Sequence, residues 1–472
     1  MLSQRDDPII AIATPPGRGA VGVVRLSGKN LAQYAQQLTG RVLKPRTAHL
    51  VSIKDANAQV IDQVLALYFN APNSYTGEDV LELQGHGGAV VLHMLVEHCV
   101  QLAQTPHTDG KPLLAHLRRA QPGEFTQRAY LNQKIDLTQA EAVADLIDAN
   151  TQAAVRSANR SLEGKFSQHI QKLQNDLTHL RMQIEACLDF PEEDIDFIEQ
   201  FQVKAQIKEL VAHNKQLLEQ AEQGRLLRDG LKIVIAGQPN AGKSSLLNAL
   251  AGADVAIVTP VPGTTRDVLT QNMHIDGIPL HVLDTAGLRD HALADEVEQI
   301  GMQRAWDHIA DADLVLLIND LTRSSDLAYV KNQSELERKL QELIGKQTLV
   351  IRVNNKADVV TTANNYKEPA IHISAKTGQG LDLLRQEIVK QAGGNTSLME
   401  GVFTARTRHT QALNLVSAHL SQAQALLEQS QPPLDVIAEE CRLAQQQLSD
   451  ITGSFTADDL LGEIFSRFCI GK

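Results

Sequence analysis

The chain has 472 residues, four cysteines and a formal net charge of −12. That length exceeds one ordinary domain and asks for about two to four. The acidic balance excludes a protein that grips nucleic acid over its whole surface, so any nucleic-acid work needs a local basic patch or a basic partner. Cys99, Cys187, Cys441 and Cys469 are far apart and form no CxxC pair, which argues against a zinc knuckle or disulfide framework and suits a reducing cytoplasm. The opening MLSQRDDPII lacks a charged segment followed by an apolar run, so no secretory signal is expected. No stretch nears the roughly 18 apolar residues of a membrane span.

Residues 1–130 mix short apolar runs with turn residues and predict an α+β domain. IIAIATPPGRGAVGVVRLSG reads as strand, glycine-proline loop, strand, and QVLALYFNAPNSYTGEDVLELQGHGG repeats that logic. Helical patterns lie between, at 29–38 and 89–103, and TPHTDGKP at 105–112 reads as a long surface loop. Over 131–228 glycine becomes scarce and the period turns helical. Leu173, Leu177, Leu180, Ile184 and Leu188 form one helix stripe, expected to pack as a bundle face. Residues 229–392 alternate strands (LKIVIAG, PLHVLDTAG, ADLVLLIND, QTLVIRV, AIHISA) with helices, which predicts a doubly wound sheet. QAGGNTS at 391–397 reads as a linker and the sequence is helical again from Thr404 to the end, so 393–472 reads as the second part of the helical domain. Two helical stretches flanking an α/β unit predict one helical domain with the α/β domain inserted in it.

The chemistry sits in the α/β unit. GQPNAGKSS follows a strand and fits G-x-x-x-x-G-K-[ST] at Gly237, Gly242, Lys243 and Ser244. Its glycines let backbone N–H groups curl around phosphates, Lys243 reaches the β- and γ-phosphates, and Ser244 offers a hydroxyl to Mg²⁺. Asn240, Ala241 and Ser245 complete this loop. In DTAG, Asp284 is placed for the magnesium shell and Gly287 for the γ-phosphate, with Thr285 and Ala286 between them. In NKAD, Asn355, Lys356 and Asp358 form a base-reading loop. Asp358 offers two acceptors to guanine, whereas adenine would leave that carboxylate unpaired. SAKTG adds Ser374, Ala375 and Lys376, with a backbone contact to the guanine oxygen. Four motifs in order, each at a strand end, predict a small G domain that takes GTP.

In TPVPGTTRD, Thr264 or Thr265 is expected to close over Mg²⁺, Thr265 being the preferred ligand. Leu288 follows DTAG where Ras-type proteins place a water-orienting glutamine, so positive charge must come from elsewhere. A monovalent cation held by Asn240 is one solution, Arg266 or Arg289 another; Asn240 is equally readable as a turn residue.

GQPNAGKSSLLNAL and PGTTRD, set in a helical domain behind TPPGRGAVGVVRLSG, YTGEDVLELQGHGG and PGEFTQRAYLNQKIDLTQAEAVADLIDA and before a terminal CIGK, resemble the MnmE (TrmE) family of tRNA-modification GTPases over nearly the whole chain. The resemblance implies an N-terminal tetrahydrofolate-binding and dimerising domain, a helical domain, and an inserted Ras-like G domain that is activated by potassium and dimerises. It implies a homodimer working with a flavin- and NADH-dependent partner of the MnmG (GidA) type, in a heterotetramer or larger complex. Together they would add an aminomethyl or carboxymethylaminomethyl group at C5 of the wobble uridine of certain tRNAs, using a one-carbon folate. It assigns Asn240, Thr259, Val261 and Thr264 to potassium, and Ser244 and Thr265 to magnesium. Glu298 would place water, although the segment before it is two residues longer than the usual form. Arg25, Glu82, Lys134 and Lys472 would contact folate; each also has an ordinary reading as a surface or strand-end charge.

An alternative function is a GTP-dependent ribosome-assembly switch, but no appended domain with a KH-type GxxG loop is visible. A membrane-bound GTPase would rest on Cys469 alone. Gly471 and Lys472 fit a prenylation box badly and no polybasic stretch lies upstream, so a cytoplasmic protein is expected. Cys469 is left as a packing residue or a participant in the modification chemistry.

Overall fold

The computed structural model describes residues 6–106, 110–189, 201–251, 270–275, 277–284, 312–345, 348–360, 370–391, 401–453, 468 and 471. The chain divides into two compact units, Met1–Ala144 with Ser449–Lys472, and Asp145–Leu448.

The first unit is built on a six-stranded sheet. Its strands are β1 (Ile9–Ile12), β2 (Gly19–Gly28), β3 (His49–Lys54), β4 (Val60–Phe69), β5 (Asp79–Gly87) and β6 (Arg118–Arg119), in the order β3-β4-β5-β2-β1-β6. Every pairing is antiparallel except β1 with β6. The strands alternate: in β4, Asp62, Val64, Ala66 and Tyr68 face inward. Helices Ala32–Thr39 and Ala89–Ala103 add to a core containing Leu26, Tyr34, Val64, Leu83 and Leu95. The helix expected from residue 29 starts three residues later. Asn30 has a φ of 57°, which a right-handed helix does not admit, and the Asp79 carboxylate accepts from the Leu31 N–H. The second helix has the expected bounds. Burial pushes the Cys99 thiol up to about 12, and its carbonyl accepts from the Tyr34 hydroxyl at 2.7 Å, so Cys99 is a core residue.

In the second unit, helices Gln152–Leu162, Lys165–Asp189, Val203–Asp229 and Thr407–Leu427 pack together. Leu173, Leu177, Leu180 and Ile184 of the expected stripe are fully buried, but Leu188 is 41% exposed. The spacing along that seam alternates four and three, so the next inward position falls on Cys187, which is buried. Both helical stretches share one bundle: Asn214 donates to the Leu413 carbonyl at 3.1 Å and Arg181 to Gln445 Oε1 at 2.7 Å. At Gly224 a Cβ would collide with the Phe403 carbonyl, so glycine is what lets the returning segment lie against the helix.

The second sheet contains β7 (Leu231–Gly237), β8 (Thr270–Ile275), β9 (Ile278–Asp284), β10 (Leu314–Asp320), β11 (Leu349–Asn355) and β12 (Ile371–His372), in the order β12-β11-β10-β7-β9-β8. All neighbours are parallel except β8 with β9. One face packs Ile233, Ile235, Leu316 and Val353 against Leu246 and Leu384, from helices Lys243–Ala251 and Leu381–Gln391. The other packs Val234, Val315 and Leu317 against Leu340 of helix Leu327–Leu343. Helices on both faces make this the expected doubly wound sheet, and the protein is multidomain α/β and α. No helix among the described residues is long and apolar enough to cross a membrane.

Candidate functional site

In a parallel sheet every strand delivers its loop to the same edge, the carboxyl end, and ligands collect there. Gly237 ends β7, Asp284 ends β9, Asp320 ends β10 and Asn355 ends β11. After Gly237 the loop turns through Asn240 at φ 64° and Gly242 at φ 96° before the helix opens at Lys243. A Cβ at Gly242 would run into the Asn355 side-chain amide, so the loop needs glycine there for both space and φ. The Lys243 ammonium donates to the carbonyls of Gly237 at 2.8 Å and Gln238 at 3.1 Å, which holds it across the loop. Asn240, Ser244 and Ser245 are exposed.

Asn355 staples three motif loops. Its amide nitrogen donates to the Ala241 carbonyl at 2.9 Å, and its oxygen accepts from the backbone N–H of Lys356 at 2.8 Å and of Ala375 at 3.0 Å. The residue is buried, so these bonds fix the phosphate loop, NKAD and SAKTG together. Asp358 is exposed and Ser374 is fully buried; a hydrogen bond from Ser374 holds the Asp358 carboxyl below its ordinary range, keeping it an acceptor. Lys376 is exposed beside them.

Sequence reasoning missed Asp320. It is buried, and its Oδ2 lies 2.6 Å from the Lys356 ammonium, while Oδ1 accepts from the Thr322 N–H and hydroxyl at 3.0 and 2.6 Å. Burial alone would raise its pKa, but the bonds from Lys356 and Thr322 outweigh that and hold it low. Its only sequence signal is an acid at the carboxyl end of an apolar strand.

In the first unit, Arg25 and Glu82 stand opposite each other in the β2–β5 register, and Arg25 Nε donates to Glu82 Oε1 at 2.9 Å. The Arg25 guanidinium also lies over the rings of Tyr75, at 5.8 Å, and Phe125, at 5.7 Å, contacts that sequence reasoning missed. Lys134 is exposed and donates to the Pro72 carbonyl at 3.0 Å, so the loop between β4 and β5 touches Arg25 through Tyr75 and Lys134 through Pro72. Phe468 is buried with Leu137 and Ala140, and a Cβ at Gly471 would collide with the Ile12 carbonyl. Thr259, Val261, Thr264, Thr265, Arg266, Thr285, Ala286, Gly287, Leu288, Arg289, Glu298, Cys469 and Lys472 lie outside the described residues, as does the side chain of Asp284.

Residues 137–469 match the family description "MnmE helical domain", and residues 8–134 match "GTP-binding protein TrmE N-terminus". The tRNA modification GTPase MnmE of Acidovorax sp. (strain JS42) is 55% identical over 476 residues, covering 100% of both chains. The protein of that name from Paracidovorax citrulli is 53% identical over 485 residues, again covering 100% of both. That from Bordetella parapertussis is 51% identical over 465 residues, covering 98% of this chain and 99% of its own. Likeness of this degree runs through the antiparallel sheet, the helical frame and the nucleotide edge alike, and the chain therefore belongs to the MnmE family of tRNA modification GTPases.

Proposed function

We propose that this chain hydrolyses GTP and uses the hydrolysis to drive modification of tRNA at C5 of the wobble uridine. The observation that carries the nucleotide half is the Asn355 staple, which brings the phosphate loop, NKAD and SAKTG into one edge beside an anionic Asp358. Lys243 binds the β- and γ-phosphates, and Asp358 and the Ser374–Ala375 backbone read guanine. Full-length identity to relatives named for tRNA modification supports the second half.

The donor chemistry of the matched residues fits two cations. Hydroxyl oxygens of Ser244 and Thr265, with Asp284 in the surrounding shell, suit Mg²⁺. Asn240, Thr259, Val261 and Thr264 offer the neutral oxygens a potassium ion takes. When bound, these ions supply positive charge at the phosphates. Glu298 orients water; Arg266 and Arg289 are the other candidate cations at the site. Residues 229–392 form the G domain within a helical domain of 131–228 and 393–472, and the 1–130 domain dimerises. Arg25, Glu82, Lys134 and Lys472 hold a one-carbon tetrahydrofolate. Packing of Phe468 and Gly471 supports a docked tail that sets Cys469 and Lys472 in place for the modification. A flavin- and NADH-dependent partner of the MnmG type completes the activity.

Mass spectrometry of tRNA nucleosides from a deletion strain tests this reading. Loss of the C5-modified wobble uridine, restored by the gene, is expected. Unchanged nucleosides together with accumulated ribosomal precursors would favour the assembly-switch alternative. Cys469→Ser is expected to leave potassium-stimulated GTPase activity intact and the uridine unmodified; full modification would make Cys469 a packing residue.

A further inference from the structure

Lys356 lies inside the base-reading turn at φ 66°, a left-handed conformation that a lysine adopts only when its surroundings hold it there. The backbone side of that hold is Asn355, whose oxygen accepts the Lys356 N–H. The side-chain side is Asp320, one strand away on β10, where it pairs in register with Asn355. Asp320 is itself fixed. Thr322 occupies Oδ1 through two hydrogen bonds, and the Asp320 N–H donates to the Tyr329 hydroxyl oxygen at 2.9 Å. Tyr329 is buried, and its carbonyl accepts from Gln238 at 2.7 Å, at the start of the phosphate loop. A continuous chain of hydrogen bonds thus runs from the phosphate loop through Tyr329 and Asp320 to Lys356, separate from the Asn355 staple.

We propose that Asp320 is a positioning residue of the guanine site, whose ion pair with Lys356 holds the 355–358 turn in the bend that aims Asp358 at the base. Because the base is common to both nucleotides, Asp320 sets affinity for GDP and GTP alike and leaves the hydrolytic step alone. This rests on the reading of Asp358 as the base reader.

The test is fluorescence titration of the full chain with ribose-labelled GDP and GTP, alongside steady-state GTPase kinetics. Asp320→Asn keeps the acceptor for Thr322 and removes the charge facing Lys356. It is expected to weaken both nucleotides by about tenfold and raise KM, with kcat changed less than about twofold. Lys356→Met removes the same pair from its more accessible side and is expected to lose affinity similarly. The double variant should be no weaker than Lys356→Met, the signature of one shared interaction. Wild-type affinity in Asp320→Asn, additive losses in the double variant, or a fall in kcat without a change in KM would overturn the proposal. Should Asp320→Asn fail to fold, wild-type affinity in Lys356→Met decides against it and a loss confined to KM decides for it. Asp358→Asn separates the two claims. If it binds guanine nucleotides normally, the base reading itself fails; if it loses affinity while Asp320→Asn does not, only the role of Asp320 fails.

Discussion

In β4, Val64 and Ala66 are fully buried while Leu65 between them is 42% exposed; in β10, Leu314 to Ile318 are buried without a break. The first pattern belongs to an antiparallel sheet with one face on the core, the second to a parallel sheet covered on both faces. The two arrangements place function differently. The parallel sheet sends Gly237, Asp320 and Asn355 to one edge, so a site can be assembled from loops of fixed chemistry. The antiparallel sheet has no such gathering edge, and Arg25 and Glu82 meet across two strands within the sheet.

The largest expected effect is on the cores. Leu316 and Leu317 are adjacent and both buried, one against each helical layer, so Leu316→Ala and Leu317→Ala should each cost about 2–5 kcal/mol in urea unfolding. In the first unit Leu83→Ala should cost a similar amount and Leu65→Ala under about 1 kcal/mol. Equal costs at Leu83 and Leu65, or a cheap substitution at either β10 position, would break the contrast.

Next comes the nucleotide edge. Gly242→Ala forces a side chain into a φ of 96° and against the Asn355 amide, so it disturbs the phosphate loop and the staple at once. A loss of about a hundredfold in GTP affinity is expected. Near-normal binding would mean that the loop is not built around that contact.

The smallest effect concerns pH and the first unit. Buried Glu124 takes Arg118 at 2.6 Å, the Gln121 N–H at 2.9 Å and Arg128 at 3.0 Å. Burial pushes its pKa up, but these donors outweigh it and hold the carboxyl below its ordinary range. A depressed carboxyl adds stability that is fully present above its unfolded value, about 4.3, and is lost as pH falls below it. Glu124→Gln should therefore lower Tm at pH 7 and narrow the gap to wild type by about pH 3. A gap that stays constant across this range would remove the charge argument.

Much of this was legible in the sequence. Five strands of the second sheet fall on the apolar runs read for them, whereas β8, TQNMHI, has no apolar run and sequence reasoning missed it. The nucleotide loops announce themselves because glycine, lysine and acid spacing is dictated by phosphate and base chemistry. Asp320 escaped notice because its partner Lys356 lies 36 residues away and only the parallel register brings them together. Arg25 and Glu82, 57 residues apart, were reachable only through family resemblance, since alternation gives a face but not the residue opposite. The Leu188 miss came from one four-residue step too many after Ile184, where the alternation of four and three calls for a three-residue step to Cys187.

The central claim is that the edge of the parallel sheet reads guanine through Asp358. Competition of GTP and XTP for the Asp358→Asn variant tests it most directly. Replacing one acceptor by an amide donor should weaken GTP by about 2–4 kcal/mol and favour xanthine, which carries an oxygen at position 2. An Asp358→Asn protein that still binds GTP as wild type and ignores XTP would contradict the account.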